Sequence, residues 1–195
     1  MKKQDNSKHL IKSVSIVLLS FAAFILIFAI IIKVQDYEKS SYKINVKFED
    51  GDIVKLTNKL PVSDEIGKKY TGNGVEKGII EYKEFTVSNP NDGKASYEIY
   101  LTRVQNSIED MRAGYIKLYL TDKDSIPIAG FDTKKLPTFY DLPSLSDKLS
   151  SRLLYTGTLV AGSSKTYILR TWVADTYVLS DDVEDFSFDI DVRIK

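Results

Sequence analysis

The stretch FSFDIDVRI, residues 186–194, decides the fold. Its apolar side chains stand at every second position, and polar or charged side chains lie between them, the apolar set being Phe186, Phe188, Ile190, Val192 and Ile194. Because successive side chains of a β-strand point to opposite faces, this alternation predicts a strand with one buried face and one polar face. A β-rich protein follows if the same period recurs along the chain.

The period of two does recur through most of the chain. Strand-like segments cover residues 42–48, 52–57, 78–88, 97–102, 116–120, 152–160 and 165–173. Turn formers separate several of them: Asp50-Gly51, which is a strong hairpin signal, then Asn89–Gly93 and Ala161–Ser164. About eight strands with regular turns predict an antiparallel β-sandwich of jelly-roll or immunoglobulin-like type over residues 42–195. The proline-containing stretch Ser125–Ser150 predicts a long loop with one or two short helical turns, for which Ser146–Ser151 is the best candidate.

A long apolar run precedes this β-rich region. The run SVSIVLLSFAAFILIFAIII, residues 13–32, has 20 residues and no charge. As a helix it would rise about 30 Å, the thickness of the hydrocarbon core of a bilayer. It predicts a transmembrane signal-anchor helix over residues 13–33 that contacts the lipid bilayer through residues 13–32. The alternative is a cleaved signal peptide, whose apolar region is usually about 7–15 residues and ends at a small-residue cleavage site.

The charges that flank the apolar run predict its orientation. Residues 1–33 hold five Lys and one acid, so the other 22 basic and 26 acidic side chains give residues 34–195 a net charge of −4. The positive-inside rule places the basic tail, residues 1–12, in the cytoplasm. A polar stalk, residues 34–41, then leads to an extracellular domain, residues 42–195. The sequence thus predicts a single-pass protein of the cell membrane. Because its extracellular part has a net negative charge, we do not expect it to bind nucleic acid.

Missing side chains exclude many catalytic mechanisms. The chain has no Cys, and its one His is His9, in the predicted cytoplasmic tail. The extracellular domain therefore cannot use a Cys nucleophile, a Ser–His–acid triad or a zinc site built on His and Cys. No Walker A or Rossmann glycine pattern occurs either. The sequence predicts a protein that is not an enzyme and has no organic cofactor.

Acidic residues supply the remaining candidate site. The densest set is Asp181, Asp182, Glu184 and Asp185. Hard cations prefer clustered oxygen ligands, so this set is the candidate calcium site, and a solvated turn before the last strand is the alternative interpretation. Paired carboxylates also leave a carboxylate-dependent surface hydrolase as an alternative function.

Aromatic residues supply a candidate binding surface. Tyr100, Tyr115 and Tyr119 fall on the polar sides of their segments, and tyrosine-rich faces suit carbohydrate or protein contacts. The alternative is that they are ordinary exposed tyrosines of a sheet. Trp172 lies in a segment with bulky residues on both faces, which predicts a central strand or one with a covered outer face. Trp172 is therefore expected either to pack in the core or to form part of the binding surface.

Three stretches within residues 42–195 resemble known exported proteins. Phe85–Pro90, Gly93 and Tyr97–Leu101 resemble the strand, turn and strand of the TasA/camelysin matrix proteins. Tyr155–Trp172 and the closing strand Phe186–Ile194 look like phrases of other exported proteins of Gram-positive bacteria. The resemblance implies an exported β-sandwich. Fibre subunits of this group carry a cleavable signal, whereas this N-terminus is predicted to remain as an anchor.

The sequence is compatible with three functions. The first is a membrane-anchored cell-surface β-sandwich that acts in binding, adhesion or assembly without catalysis, its partner being another surface or matrix protein or a second copy of itself. The second is a biofilm-matrix fibre subunit released by signal cleavage. The third is the carboxylate-dependent hydrolase.

Overall fold

The structure is a computed structural model that describes residues 17–33, 42–73, 78–104, 109–145, 150–179 and 184–195. It divides into two compact units, Met1–Tyr42 and Lys43–Lys195. The predicted tail of residues 1–12 and the predicted stalk of residues 34–41 lie outside the described residues.

The first unit contains an α-helix, α1, at residues 17–33. Its large apolar side chains are between 45% and 71% exposed. Among the described residues, no helix is both long enough and apolar enough to cross a membrane.

The second unit is built from strands. Its described residues form β1 (Asn45–Phe48), β2 (Ile53–Thr57), β3 (Glu81–Ser88), β4 (Ala95–Val104), β5 (Glu109–Asp110), β6 (Ile116–Asp122), β7 (Ser151–Leu159), β8 (Ser164–Val173) and β9 (Glu184–Ile194). A helix, α2 (Asp64–Lys69), and two 3-10 turns, Ala113–Tyr115 and Phe139–Asp141, complete the elements. Every segment with a predicted period of two contains a strand, so the mainly β prediction is confirmed.

The strands form two sheets. Sheet A has the order β1-β3-β8-β6, and sheet B has the order β2-β9-β4-β7. All neighbours in these orders are antiparallel, and the two-residue β5 pairs parallel to β9 at the margin of sheet B. The antiparallel two-sheet architecture predicted for residues 42–195 is therefore confirmed.

Successive long strands alternate between the sheets. β1, β3, β6 and β8 belong to sheet A, whereas β2, β4, β7 and β9 belong to sheet B. The hairpin predicted at Asp50-Gly51 is wrong, because the strands on either side of it pair with different partners. Gly51, at φ 73°, shapes an arch that crosses from one sheet to the other. The turns at Asn89–Gly93 and Ala161–Ser164 are arches of the same kind.

The core lies between the two sheets. Phe85 of β3 stacks on Tyr167 of β8 at 5.6 Å between ring centres, and the Tyr167 hydroxyl is hydrogen-bonded to that of Tyr97 in β4. Fully buried side chains surround them, including Val54, Leu56, Ile99, Leu101, Leu118, Leu169, Phe186 and Phe188. The alternating pattern of each strand thus places its apolar face between the sheets.

Part of the outer face of sheet A, around Trp172, is also covered. Trp172 lies on this face of β8 and is fully buried. A Cβ added to Gly67 of α2 would lie 2.4 Å from Trp172 Cε2, so the helix backbone rests directly on the indole. The prediction that this strand is central or has a covered outer face is confirmed on both counts.

Helix α2 was not predicted, although its charges mark it. Asp64 and Glu65 stand in its first turn and Lys68 and Lys69 in its last, which is the order that the helix dipole favours. The six residues are too few to show helical periodicity.

The long loop of the sequence prediction runs between β6 and β7. It has a 3-10 turn at Phe139–Asp141, where Thr138 and Asp141 form a reciprocal capping box. The helical turn predicted at Ser146–Ser151 is wrong at its last residue, because Ser151 begins β7. Residues 146–149 lie outside the described residues.

The close approach at Gly157 gives a first testable prediction. A Cβ there would lie 2.4 Å from Tyr97 Cζ and 2.9 Å from Tyr155 Cε1. We expect Gly157→Ala to lower the free energy of unfolding by about 1–3 kcal/mol, because Tyr97 is buried and cannot move freely. Gly114→Ala is the matched control, since a Cβ at Gly114 meets nothing within 4 Å. Urea unfolding of both variants checks this, and equal stability of the two would contradict it.

Candidate functional site

The edge strand β2 leaves one side of its backbone open within the described parts of the chain. It pairs on one side only, with β9, in a register that sets Ile53 opposite Asp189 and Thr57 opposite Asp185. Ile190 N donates to Asp52 O at 2.9 Å and Asn58 N donates to Glu184 O at 3.1 Å. In an antiparallel pair the bonding residues alternate, so the even-numbered residues bond to β9. The N–H and C=O groups of Ile53, Lys55 and Thr57 therefore point away from the sheet.

These outward groups have no hydrogen-bond partner within the described parts of the chain. We call them, with their side chains, the β2 edge: Ile53, Lys55 and Thr57. Unpaired edge groups of this kind are a template for a further strand.

The other sheet edges are shorter or partly occupied. β1 has only four residues. Isolated bridges join β6 to the long loop, Lys117 to Thr138 and Thr121 to Pro127, and another joins Ser144 to Arg152 of β7. Among the described strands, β2 is therefore the longest edge without such cover.

The side chains of the β2 edge combine an apolar group and a free cation. Val54 and Leu56 are fully buried, whereas Ile53 is 49% exposed and Lys55 is exposed. No carboxylate in the described ranges lies within ion-pair distance of Lys55. The edge thus exposes a large apolar side chain next to an unpaired ammonium group.

Asp189 of β9 lies on the same face, directly across from Ile53. It is half-buried, and its Oδ1 is buried without a hydrogen-bond partner in the described structure. Burial, followed by repulsion from Asp52 and Asp191, raises the pKa of Asp189 above its ordinary value. This carboxylate would therefore be stabilised by a cation brought next to it.

The predicted aromatic surface is not one surface. Tyr119 and Trp172 are buried in sheet A, and Tyr100 is buried in sheet B. Tyr115 is half-buried in a 3-10 turn, with its ring 5.1 Å from that of Tyr177. The four residues are not brought together, and only Tyr115 keeps substantial exposure.

Local partners explain why two of these tyrosines are covered. The Tyr100 hydroxyl donates to Glu98, and the Arg193 guanidinium lies 5.2 Å from the centre of its ring. The Arg170 guanidinium lies 5.8 Å from the centre of the Tyr119 ring. Both rings are thus packed under charged side chains of neighbouring strands.

Arg170 fixes the cover of sheet A. Arg170 is 2% exposed, and its guanidinium donates to Tyr70 O, to Thr121 Oγ1 at 3.0 Å and to Ser125 Oγ at 3.3 Å. Burial lowers the pKa of this group. Its ring contacts include Tyr82 at 5.4 Å. Arg170 joins Tyr70 and Ser125 to the outer face of sheet A, so the part of this face around Arg170 is covered.

A small pocket lies beside this cover. It has a volume of about 260 Å³ and is lined by Ile66, Lys69, Tyr70, Thr71 and Asn73. Lys69 Nζ is already paired with Glu65 Oε1 at 2.8 Å. None of the described residues that line the pocket is an acid or a His.

The acidic set is placed only in part. Asp181 and Asp182 lie outside the described residues. Glu184 accepts a hydrogen bond from the Tyr177 hydroxyl, and burial together with this bond raises the pKa of Tyr177 to about 12. Asp185 is 4% exposed. Within the described residues, no three acidic or His side chains are grouped as ligands for a metal ion.

Neither the models of protein families nor the curated proteins give a match to this chain.

Proposed function

We propose that the protein is a single-pass cell-surface protein whose β-sandwich acts by binding or assembly without catalysis. The observation that carries the proposal is the β2 edge. Its three alternate residues, Ile53, Lys55 and Thr57, have outward-facing backbone groups that are unpaired in the described structure. Such an edge supports recognition of an extended protein segment by strand addition. The exposed Ile53 supports the same function, because a partner strand would cover it.

We propose that residues 13–32 anchor the protein in the cell membrane, with the N-terminus in the cytoplasm. The uncharged run of 20 residues and the Lys-rich tail before it support this location. The large apolar side chains of α1, which are at least 45% exposed, favour an apolar environment over water.

We propose the jelly-roll class for the sandwich and a relation to the TasA/camelysin proteins. The alternation of strands between sheets supports the first, because in immunoglobulin-like sandwiches consecutive strands A and B share a sheet. The resemblance at Phe85–Leu101 supports the second.

Topology is tested on intact cells with a tag at each end of the full chain. We expect an externally added protease to remove the tag placed after Lys195 and to leave the tag before Met1 intact. Mass spectrometry of the mature protein should find residues 1–12. A protected C-terminal tag, or a mature N-terminus after Lys33, would contradict the anchored topology.

Binding is tested with a photo-cross-linking amino acid at position 55 in the same cells. We expect a covalent adduct of the full chain that is absent when the cross-linker replaces Lys94, another exposed lysine without an ion pair in the described structure. Adducts at neither position, or equally at both, would argue against the β2 edge as a binding surface.

A further inference from the structure

We propose that the β2 edge pairs with the β2 edge of a second copy of this chain, antiparallel and about a two-fold axis that passes beside Val54. The proposal rests on the proposed binding function and names its partner. In this register Ile53 of each copy lies opposite Lys55 of the other, and these are the residues whose backbone groups point outward. The two sheets B would join into one continuous sheet through backbone hydrogen bonds.

Charge complementarity selects the second copy as the occupant. Across the joint, one row of side chains would run from Asp189 over Ile53 to Lys55 of the second copy. Neighbouring strands are about 4.8 Å apart, so the stem of that lysine can lie along Ile53 while its ammonium group extends toward Asp189. The two-fold axis repeats this contact with the copies exchanged. The unpaired cation of each chain thereby approaches the half-buried Asp189 carboxylate of the other.

The competing register is disfavoured by the same charges. An axis through Lys55 would set Lys55 directly opposite Lys55 of the second copy, and like charges in that position destabilise a strand pair. A lysine in the middle of an edge strand commonly prevents edge-to-edge pairing. Lys55 therefore disfavours the register in which it faces its own copy, whereas the register beside Val54 covers the exposed Ile53 and brings Lys55 toward Asp189.

The experiment measures the association of the full chain in detergent micelles by analytical ultracentrifugation over a concentration series. We expect the wild type to form dimers, and Lys55→Glu to raise the dimer dissociation constant by about tenfold or more, because both cross-strand attractions become repulsions. Lys94→Glu makes the same change of charge at another exposed lysine and should leave the dissociation constant unchanged. The absence of Cys allows all variants to be compared without disulfide artefacts.

A charge exchange decides whether Asp189 is the partner of Lys55. The double variant Lys55→Glu, Asp189→Lys should recover most of the lost association, whereas Lys55→Glu alone should not. Asp189 is half-buried, so circular dichroism must first show that the double variant is folded. If it is not, Lys55→Glu with Asp189→Asn is used, and it should associate more tightly than Lys55→Glu because the repulsion is removed.

A wild type that stays monomeric, or a dimer that Lys55→Glu leaves intact, would overturn the pairing. Either result leaves the proposed function standing if the cross-linker at position 55 captures a different protein. A third outcome is a Lys55-dependent dimer in micelles without any adduct in cells. It would support the pairing and contradict binding at the cell surface.

Discussion

Asn89→Asp is expected to destabilise the sandwich by about 3–5 kcal/mol at neutral pH, because it buries a charge without a cation. Asn89 is 1% exposed, and its Nδ2 donates to the carbonyl oxygens of Gly93, Leu159 and Val160 at 2.8, 3.1 and 3.1 Å. These bonds connect the arch after β3 to the end of β7. The substitution replaces the donating amide by a carboxylate oxygen that faces three acceptors.

The pH dependence of this variant identifies the cause. Repulsion and burial raise the pKa of the introduced carboxyl in the folded state, whereas in the unfolded chain it stays near about 3.9. Below that pH both states are protonated, and the neutral carboxyl can donate to one carbonyl. As pH rises, the unfolded state releases its proton first, so stability relative to wild type falls until the folded-state pKa is passed.

Urea unfolding of the full chain, followed by the fluorescence of the single tryptophan, measures the effect. Asn45→Asp makes the same change at an exposed position of β1 and should alter the free energy of unfolding by less than about 0.5 kcal/mol. A loss for Asn89→Asp that is as large at acidic pH as at neutral pH would show that geometry rather than charge is responsible.

The strands could be predicted from the sequence because their signal is local. In β9 each apolar residue from Phe186 to Ile190 is buried, as the period of two requires. The pairing could not be predicted in the same way. Asp50-Gly51 can reverse the chain either in a hairpin or in an arch between sheets. The turn is an arch because β1 pairs with β3 and β2 pairs with β9, and both partners are distant in the sequence.

The sites were harder to predict than the strands, because exposure depends on residues far away in the sequence. Tyr119 lies on the nominally polar side of β6 and is nevertheless buried, since Arg170 and Lys68 lie against its ring. The β2 edge left a clearer signal, which the sequence interpretation did not use. Lys55 interrupts the apolar residues Ile53, Val54 and Leu56, and lysine in the middle of a strand is typical of an edge.

Trp172→Ala is expected to lower the free energy of unfolding by about 3–5 kcal/mol, because a large cavity replaces a fully buried indole. Trp172 Nε1 has no hydrogen-bond partner within the described structure, so the ring contributes through packing. Trp172→Phe keeps much of that packing and removes the buried donor, and we expect it to cost clearly less. Circular dichroism during urea unfolding measures both variants, since the fluorescent residue is lost. Equal losses would contradict the packing account.

Gly67→Ala tests the contact from its other side. The added Cβ would lie within 2.4 to 2.6 Å of Trp172 Cε2, Cδ2 and Cζ2, which are atoms of the six-membered ring of the indole. We expect this variant to cost about 1–3 kcal/mol in the wild type through overpacking. In the Trp172→Phe background the smaller ring leaves room, so the same substitution should cost less, with a coupling of about 0.5–3 kcal/mol. If the two substitutions were additive, the cost of Gly67→Ala would come from α2 itself, and the cover of sheet A would not depend on the glycine lying against the tryptophan.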